Sequence, residues 1–173
     1  MRTLVDQLSQ YAAYHRDRRN IATHFIGIPM IVQAVAVLLA RPVLADLGPL
    51  AISAATLVTL ATALYYLRLD GRLGAAMVLL LGLALWCAQW LAAQPTPVWL
   101  GWGLGLFVVG WLFQFVGHYW EGRKPAFVDD LVGLVIGPLF VLAEAAFLLG
   151  LRRDLQQQIE ARVGPVRGAA AAA

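Results

Sequence analysis

Five apolar segments, each close to the length that crosses a lipid bilayer, constrain this chain more than any other feature of its sequence. A helix needs about 20 predominantly apolar residues to span the hydrocarbon core of a bilayer. Lipid offers backbone groups no hydrogen-bond partners, so a spanning segment must be helical. Short polar connectors separate the five segments, which are residues 21–40, 49–67, 73–93, 98–117 and 131–150.

The composition excludes an ordinary soluble domain. Of the 173 residues, 61% are hydrophobic and only 13% are charged, whereas a soluble domain carries roughly a quarter charged residues. A small soluble protein leaves much of its surface in water and cannot hide this much apolar area. The formal net charge is +3, but the basic residues lie between apolar segments, where they orient the chain and contact anionic headgroups. We therefore expect membrane lipids, and no nucleic acid, as partners.

The distribution of lysine and arginine predicts the orientation of the chain. Cytoplasmic loops carry an excess of these residues, and four arginines precede or open the first segment, which places the N-terminus in the cytoplasm. Five crossings would carry the C-terminus outside, although its four arginines also favour the cytoplasm. The dipeptide Gly137-Pro138 interrupts the fifth segment halfway. If the segment is broken there and does not cross fully, the C-terminus can remain in the cytoplasm as its arginines predict.

These observations predict an all-α fold, an integral membrane helical bundle with four full transmembrane spans, a broken or re-entrant fifth hydrophobic element and both termini in the cytoplasm. Five plain spans are the alternative. Apolar residues at helical spacing also predict an N-terminal interfacial helix; they are Leu4, Leu8, Tyr11 and Tyr14. We expect one membrane-embedded domain over residues 1–164 and a disordered, low-complexity tail over residues 165–173.

Three histidines, His15, His24 and His118, are the residues most informative about chemistry. One precedes the first segment, one lies in its first turn, and one ends the fourth segment. Four crossings separate His24 from His118, and an even number returns the chain to its starting face, so all three imidazoles reach the same membrane surface. Asn20 is predicted to cap the first span, and a helix break at residues 16–20 would let His15 fold back towards His24.

Carboxylates accompany the histidines. Glu121 follows His118 by three residues, and on a continuing helix an i, i+3 pair of this kind is a recurrent metal-binding arrangement. Glu144 lies inside an apolar segment, where a carboxylate is costly and therefore a functional candidate. Together with Asp129 and Asp130, these side chains favour iron or zinc, and the scarcity of sulfur favours non-haem iron. The alternative is that the histidines only satisfy helix ends and headgroups, and that Glu144 is a protonated acid bonded to a backbone carbonyl.

Four polar or basic residues near the proposed centre are candidate substrate contacts. Arg123 and Lys124 follow His118 closely and would hold the carboxylate of an acidic lipid, although positive-inside anchoring explains them equally well. Gln114 lies one helical turn before His118 on the same face. Asn20, at the start of the first segment, completes the set.

Two stretches of the sequence resemble the signatures of the membrane 2-hydroxy fatty acid dioxygenases, a family with fungal members that act in phytosphingosine breakdown and with many bacterial relatives. Residues 14–29 read YHRDRRNIATHFIGIP, and residues 110–129 read GWLFQFVGHYWEGRKPAFVD. The second resemblance continues through Gly137-Pro138 to Glu144. Together the two stretches cover about a third of the chain, whereas the middle segments match only in hydrophobic character.

The resemblance implies an iron(II)-dependent α-oxidation, in which a 2-hydroxy fatty acid reacts with dioxygen and leaves as the fatty acid one carbon shorter. It implies Fe(2+) as cofactor, a 2-hydroxy fatty acid or related lipid as substrate, and dioxygen as the second reactant. The orientation predicted from the lysine and arginine distribution places the metal site at the cytoplasmic membrane interface. The residues that match the family's histidine and acidic positions are His15, His24, His118, Glu121, Asp129 and Glu144. Of these, the histidines are the implied metal ligands, and Glu121 and Glu144 are the implied catalytic carboxylates, as ligands or as supporting groups.

Two other classes of function are alternatives. A non-enzymatic membrane scaffold or assembly protein would use its histidines only to cap helices and would bind neither iron nor zinc. A small transporter for a metal or a lipid would need polar residues through its spans, and segments two to four offer almost none beyond Gln89. The abundance of Ala, Leu, Gly and Arg is typical of a GC-rich bacterium and indicates a bacterial inner membrane as the location.

Overall fold

The computed structural model describes residues 2–48, 51–125 and 132–168. The chain is all-helical in class: 77% of the described residues are helical, and the described ranges include one small two-stranded sheet. In chain order the elements are α1 (Leu4–Ala12), α2 (Arg18–Leu39), β1 (Val43–Asp46), β2 (Ala51–Ser53), α3 (Ala54–Leu69), α4 (Gly71–Ala92), α5 (Thr96–Glu121), α6 (Val132–Leu148) and α7 (Arg153–Val163). The predicted all-α class is therefore confirmed.

Three helices of the described chain, α2, α4 and α5, are long and apolar enough to cross a membrane. Helix α6 passes the same test only together with α7, and the two are bent by 114° at a short break. Helix α3 has 16 residues, which at about 1.5 Å per residue fall short of a hydrocarbon core about 30 Å thick. The described residues thus contain three candidate spans, or four if the bent pair counts as one.

The interruption of the fifth hydrophobic segment lies at its end, and the prediction of a break at Gly137-Pro138 is wrong. Helix α6 continues through both residues, with Pro138 inside it. A Cβ on Gly137 would lie 2.9 Å from the Tyr11 hydroxyl oxygen, so α6 packs directly against α1, and such packing lets a helix tolerate a proline. The chain turns instead at Gly150 and Arg152, which have positive φ angles of 72° and 52°.

A short β-hairpin, which the sequence analysis does not predict, precedes α3. Strands β1 and β2 pair in antiparallel orientation. Ser53 and Thr56 then form a capping box, in which each side chain accepts a hydrogen bond from the backbone N–H of the other residue. The second apolar segment is predicted to begin at residue 49, but its helix begins only at Ala54.

The first long helix begins earlier than predicted, because Asp17 rather than Asn20 caps it. Helix α2 starts at Arg18, and the Asp17 side chain accepts a hydrogen bond from the Arg19 backbone N–H at 2.8 Å. The predicted helix break exists, but it occupies residues 13–17, here called the α1–α2 connection. Asn20 lies inside the helix, where it is fully buried.

The chain divides into two compact units, Met1–Ile28 with Leu112–Ala173, and Pro29–Trp111. In the first unit α1 packs against α6 and α7, so the apolar side of the predicted interfacial helix, with Leu4, Leu8 and Tyr11, is buried inside the protein. The second unit has a core of small and aliphatic side chains from its helices; they are Ala36, Val37, Ala40, Ala55, Leu85, Ala88 and Leu91.

Close approach between helices depends on single glycines rather than on the whole glycine-rich stretch of α5. In that stretch a Cβ on Gly103 would lie 2.5 Å from a methyl carbon of Leu38, whereas Gly105 faces open space. A still closer approach occurs at Gly117, where a Cβ would lie 2.2 Å from the Thr23 hydroxyl oxygen. This glycine brings the end of α5 against the first turns of α2.

Replacing Gly117 with alanine is expected to destabilise the protein by about 1–3 kcal/mol, because the added methyl group overpacks the contact between α2 and α5. Gly105→Ala is the matched control, since it lies in the same helix and its Cβ would meet no atom within 4 Å. The control should keep its stability or gain up to about 1 kcal/mol, because alanine favours a helix over glycine. Unfolding of both variants in detergent measures the difference, and equal stability would contradict the packing described here.

Candidate metal centre

The three histidines singled out by the sequence lie together in one buried cluster. One ring nitrogen from each of His15, His24 and His118 lies within 4.8 Å of the other two. The ring centroids are 4.5 to 5.2 Å apart. His15 and His24 are fully buried, and His118 is only 6% exposed. This is a set of three nitrogen donors close enough together to hold one metal ion.

Three different elements supply these histidines. His15 lies in the α1–α2 connection, His24 in the second turn of α2, and His118 in the last turn of α5. Four helices, α2 to α5, carry the chain from His24 to His118. The rings of His24 and His118 are neighbours, so the end of α5 lies beside the start of α2. This agrees with the even number of apolar segments between the two histidines.

Backbone carbonyl groups fix which nitrogen of His15 and of His24 carries the proton. The Nδ1 atom of His15 donates to the Tyr11 carbonyl oxygen at 2.7 Å, and the Nδ1 atom of His24 donates to the Asn20 carbonyl oxygen at 2.8 Å. A carbonyl oxygen only accepts hydrogen bonds, so in each neutral ring the Nε2 atom has a free lone pair. These two Nε2 atoms face each other 3.0 Å apart.

Two lone pairs in this position repel each other, and a cation between them would relieve the repulsion. Burial lowers the pKa of His15 well below its ordinary value, and the neighbouring His24 imidazole lowers it further. At neutral pH His15 is therefore uncharged, and no proton relieves the repulsion between the two Nε2 atoms. Imidazole nitrogens suit zinc and non-haem iron, and a ligand imidazole normally donates its other N–H to a carbonyl or carboxylate, as both rings do here. The cluster fits a first-row metal ion.

Aromatic side chains hold the ring of His15 in place. The Tyr11 ring stacks on it with centroids 4.2 Å apart and planes at 5°. Phe140 from α6 lies with its centroid 5.5 Å from that of His15 and 5.0 Å from that of Tyr11. These rings pack against the imidazole of His15 and fix its orientation.

The Glu121 carboxylate supports the cluster from the end of α5. Its Oε2 atom accepts three hydrogen bonds, from the backbone N–H groups of Arg16 at 3.0 Å and Asp17 at 2.8 Å and from Nδ2 of Asn20 at 3.0 Å. The carbonyl oxygen of Asn20 in turn accepts from His24. Among the described residues no carboxylate joins the three ligand nitrogens. Glu121 therefore lies in a supporting position, behind the histidines rather than among them.

The second predicted carboxylate, Glu144, is the countercharge of a buried arginine. Its Oε1 atom lies 3.7 Å from Nη2 of Arg16, and Glu144 itself is 9% exposed. The Nε atom of Arg16 donates to the carbonyl oxygens of Ala12 at 2.9 Å and His15 at 3.0 Å. Burial lowers the pKa of Arg16, and Glu144 opposes this shift. Glu144 thus contacts the α1–α2 connection, and it is not part of the group formed by the three histidine nitrogens.

The two predicted amide contacts differ in their surroundings. Gln114 is buried, and its Nε2 atom has no hydrogen-bond partner among the described residues. The amide of Asn20 instead donates to Glu121 and to the Tyr14 carbonyl oxygen. Gln114 therefore has an amide N–H group that is free to donate, one helical turn before His118. The amide of Asn20 is already bonded to the Glu121 carboxylate.

The predicted basic contacts lie at the surface. Arg123 is exposed and donates to the Ala13 carbonyl oxygen at 2.7 Å, which ties it to the α1–α2 connection. Lys124 is also exposed. The predicted acidic residues Asp129 and Asp130 lie outside the described residues.

Sequence reasoning missed two arginines, Arg16 and Arg167. It counts Arg16 only as part of a basic cluster and places Arg167 in the disordered tail. The Arg167 backbone N–H donates to the Arg16 carbonyl oxygen at 2.6 Å, and its guanidinium pairs with Glu121. The position of Arg16 directly after His15 is a sequence feature that could have indicated it. No local pattern predicts the contact between Arg167 and Glu121, which are 46 positions apart. Residues 169–173 of the predicted tail lie outside the described residues.

Comparison with known proteins adds two matches. A family model described as "2-hydroxy-palmitic acid dioxygenase Mpo1-like" matches residues 1–149, a range that contains all three histidines. The 2-hydroxy-palmitic acid dioxygenase MPO1 of Saccharomyces cerevisiae is 35% identical over 159 residues, which cover 91% of this chain and 87% of the yeast protein. No solved structure matches.

We expect the protein to bind one Co²⁺ ion per chain, with Co²⁺ used as a spectroscopic substitute for iron or zinc. His15→Ala and His24→Ala should each weaken binding by more than about 100-fold, because each removes a ligand nitrogen and not merely a supporting group. Gln89→Ala, which changes a half-buried polar residue of the other unit, should bind as the wild type does. Titration followed by visible absorption measures the affinities, and undiminished binding by both histidine variants would exclude the cluster as the site.

Proposed function

The chain belongs to the Mpo1-like family of 2-hydroxy-palmitic acid dioxygenases, and we propose that it is an iron(II)-dependent dioxygenase that shortens 2-hydroxy fatty acids by one carbon. One observation carries the proposal. Within the matched range, His15, His24 and His118 form a buried cluster of nitrogen donors, in which two Nε2 atoms face each other 3.0 Å apart. The yeast relative is named as a dioxygenase of 2-hydroxypalmitic acid.

The three histidines would hold the iron as neutral ligands. When bound, the iron supplies the redox chemistry for dioxygen and a Lewis-acid site for the hydroxyl and carboxylate oxygens of the substrate. Three neutral imidazoles leave the charge of the ion uncompensated, which favours an anionic 2-hydroxy acid at the site. Three protein ligands also leave coordination positions open for both reactants.

The proposed reaction balances without a further reductant. The bond between carbons 1 and 2 of the substrate breaks, carbon 1 leaves as carbon dioxide, and carbon 2 becomes the carboxyl carbon of the shorter acid. These changes release four electrons from the substrate, and they reduce one dioxygen molecule. One water is released per turnover.

The remaining side chains bind and orient. We assign Gln114 as a hydrogen-bond donor to a substrate oxygen, supported by its buried and unpartnered Nε2 atom. Arg123 and Lys124 are proposed to contact the carboxylate as it enters from the exposed side. Glu121 and Asn20 hold the backbone around the histidines, and we assign them this supporting part in the reaction.

We place the centre at the cytoplasmic interface of a bacterial inner membrane, with both termini in the cytoplasm. Exposed basic residues on both sides of the cluster support this orientation; they are Arg18, Arg19, Arg123 and Lys124. We assign full crossings to α2, α4 and α5, a shorter crossing to the 16-residue α3, where the bilayer would be locally thinner, and the broken fifth element to the bent pair of α6 and α7. At this depth the polar end of a 2-hydroxy acid would reach the histidines while its acyl chain stays among apolar helices.

Protein reconstituted with Fe²⁺ under anaerobic conditions is expected to convert 2-hydroxypalmitate and added oxygen into the fifteen-carbon acid, as measured by mass spectrometry. His118→Ala should lower the rate at least about 1,000-fold, because the ion and its activation of both reactants are lost with the ligand. Two controls accompany it. Palmitate, which has no 2-hydroxyl group, should not be consumed, and Gln89→Ala should keep the wild-type rate. An iron-loaded wild type that shortens no 2-hydroxy acid would refute the proposed reaction.

A further inference from the structure

A C-terminal strap, residues 153–168, contributes no histidine to the cluster but contacts the α1–α2 connection that carries His15. It consists of α7 and the five residues that follow, and it lies beyond residue 149, where the family match ends. Helix α7 packs against α1. At the exposed end of this contact, Arg162 donates to the Asp6 carboxylate at 2.7 Å.

Two hydrogen bonds join the strap to the residue after His15. The Arg167 backbone N–H donates to the Arg16 carbonyl oxygen at 2.6 Å, and Nη1 of Arg16 donates to the Gly164 carbonyl oxygen at 3.0 Å. Asp17 and Arg167 also form an isolated parallel bridge. The strap therefore pairs with both residues that follow His15 in the chain.

The strap also supplies a cation to the buried Glu121 carboxylate. The Glu121 side chain is 1% exposed, whereas that of Arg167 is 62% exposed. Three N–H donors occupy Oε2 of Glu121, and the Arg167 guanidinium contacts Oε1. A buried carboxylate that loses its cation is costly, so Arg167 favours the position in which Glu121 holds the α1–α2 connection.

We propose that Arg167 is a positioning residue for the histidine cluster, acting through Glu121. The chain of contacts runs from Arg167 to Glu121, from Glu121 to the backbone beside His15 and to Asn20, and from Asn20 to the ring of His24. The strap thereby fixes two of the three donor nitrogens from beyond residue 149, where the match to the family model ends. This inference rests on the proposed function, because it requires the cluster to bind a metal ion.

The test is Co²⁺ affinity of the full-length variant Arg167→Ala, read from the visible absorption of the bound ion. We expect the affinity to fall about 10-fold, the low end of the range for residues that orient metal ligands, with a changed absorption spectrum because the donors are held less tightly. Arg167→Lys keeps the positive charge and should recover part of the loss. In a Glu121→Gln background, Arg167→Ala should have little further effect, since the two residues act through one contact.

Arg162→Ala is the matched control. It removes an arginine from the same strap and breaks an exposed ion pair with Asp6, but it does not touch Glu121, so Co²⁺ affinity and spectrum should equal those of the wild type. If Arg167→Ala does not fold, Arg167→Lys against Arg162→Lys gives the same comparison with the charge retained. Equal affinity and spectrum in the Arg167 and Arg162 variants would overturn the positioning role alone. A wild type that takes up no Co²⁺, Fe²⁺ or Zn²⁺ would overturn both this inference and the proposed function.

Discussion

The Glu121 carboxylate connects parts of the first unit that lie far apart in the chain. It belongs to the last turn of α5, yet its hydrogen bonds reach residues 101 to 105 positions earlier. Through them it holds the α1–α2 connection, which carries His15, and Asn20, whose carbonyl group holds His24. His118 is one turn away on the same helix. All three histidines are thus attached to the surroundings of one carboxylate, and the cluster forms only where the end of α5 meets the start of α2.

A buried carboxylate of this kind is tolerated because its lone pairs are used. Three N–H groups and one guanidinium surround Glu121, and charge-assisted hydrogen bonds of this type are stronger than those between neutral groups. The same contacts satisfy the backbone N–H groups of Arg16 and Asp17, which lie just before α2 and have no partner within that helix. Gly117 makes the arrangement sterically possible, since any larger residue would collide with Thr23 and Asn20. The support of the cluster is therefore polar, although the helices that carry it are apolar.

The sequence predicts the candidate metal-binding histidines better than it predicts the residues that hold them in place. The three histidines follow from residue type and from an even number of apolar segments between positions 24 and 118. The contacts of Glu121 do not follow, because a spacing of three residues from His118 suggests a further metal ligand, whereas the carboxylate accepts from two backbone N–H groups, the Asn20 amide and the Arg167 guanidinium. Asn20 illustrates the same limit: its residue type suits a helix cap, but Asp17 occupies that position and Asn20 bonds from inside the helix. Arg167 has no local signal at all.

The sequence by itself determined the apolar segments, the helical class and the residues able to bind a metal, because hydropathy and helical spacing are properties of neighbouring residues. Tertiary structure decided where the helices begin and turn, that Glu121 and Glu144 contact the α1–α2 connection rather than the histidine nitrogens, and that a C-terminal arginine reaches Glu121. These outcomes depend on whether two surfaces far apart in sequence can approach within hydrogen-bond distance. Whether the surfaces approach depends on side-chain volume at positions such as Gly117 and Gly137 and on the competition of several hydrogen-bond donors for the buried Glu121 carboxylate. Neither property can be predicted from a single stretch of the sequence.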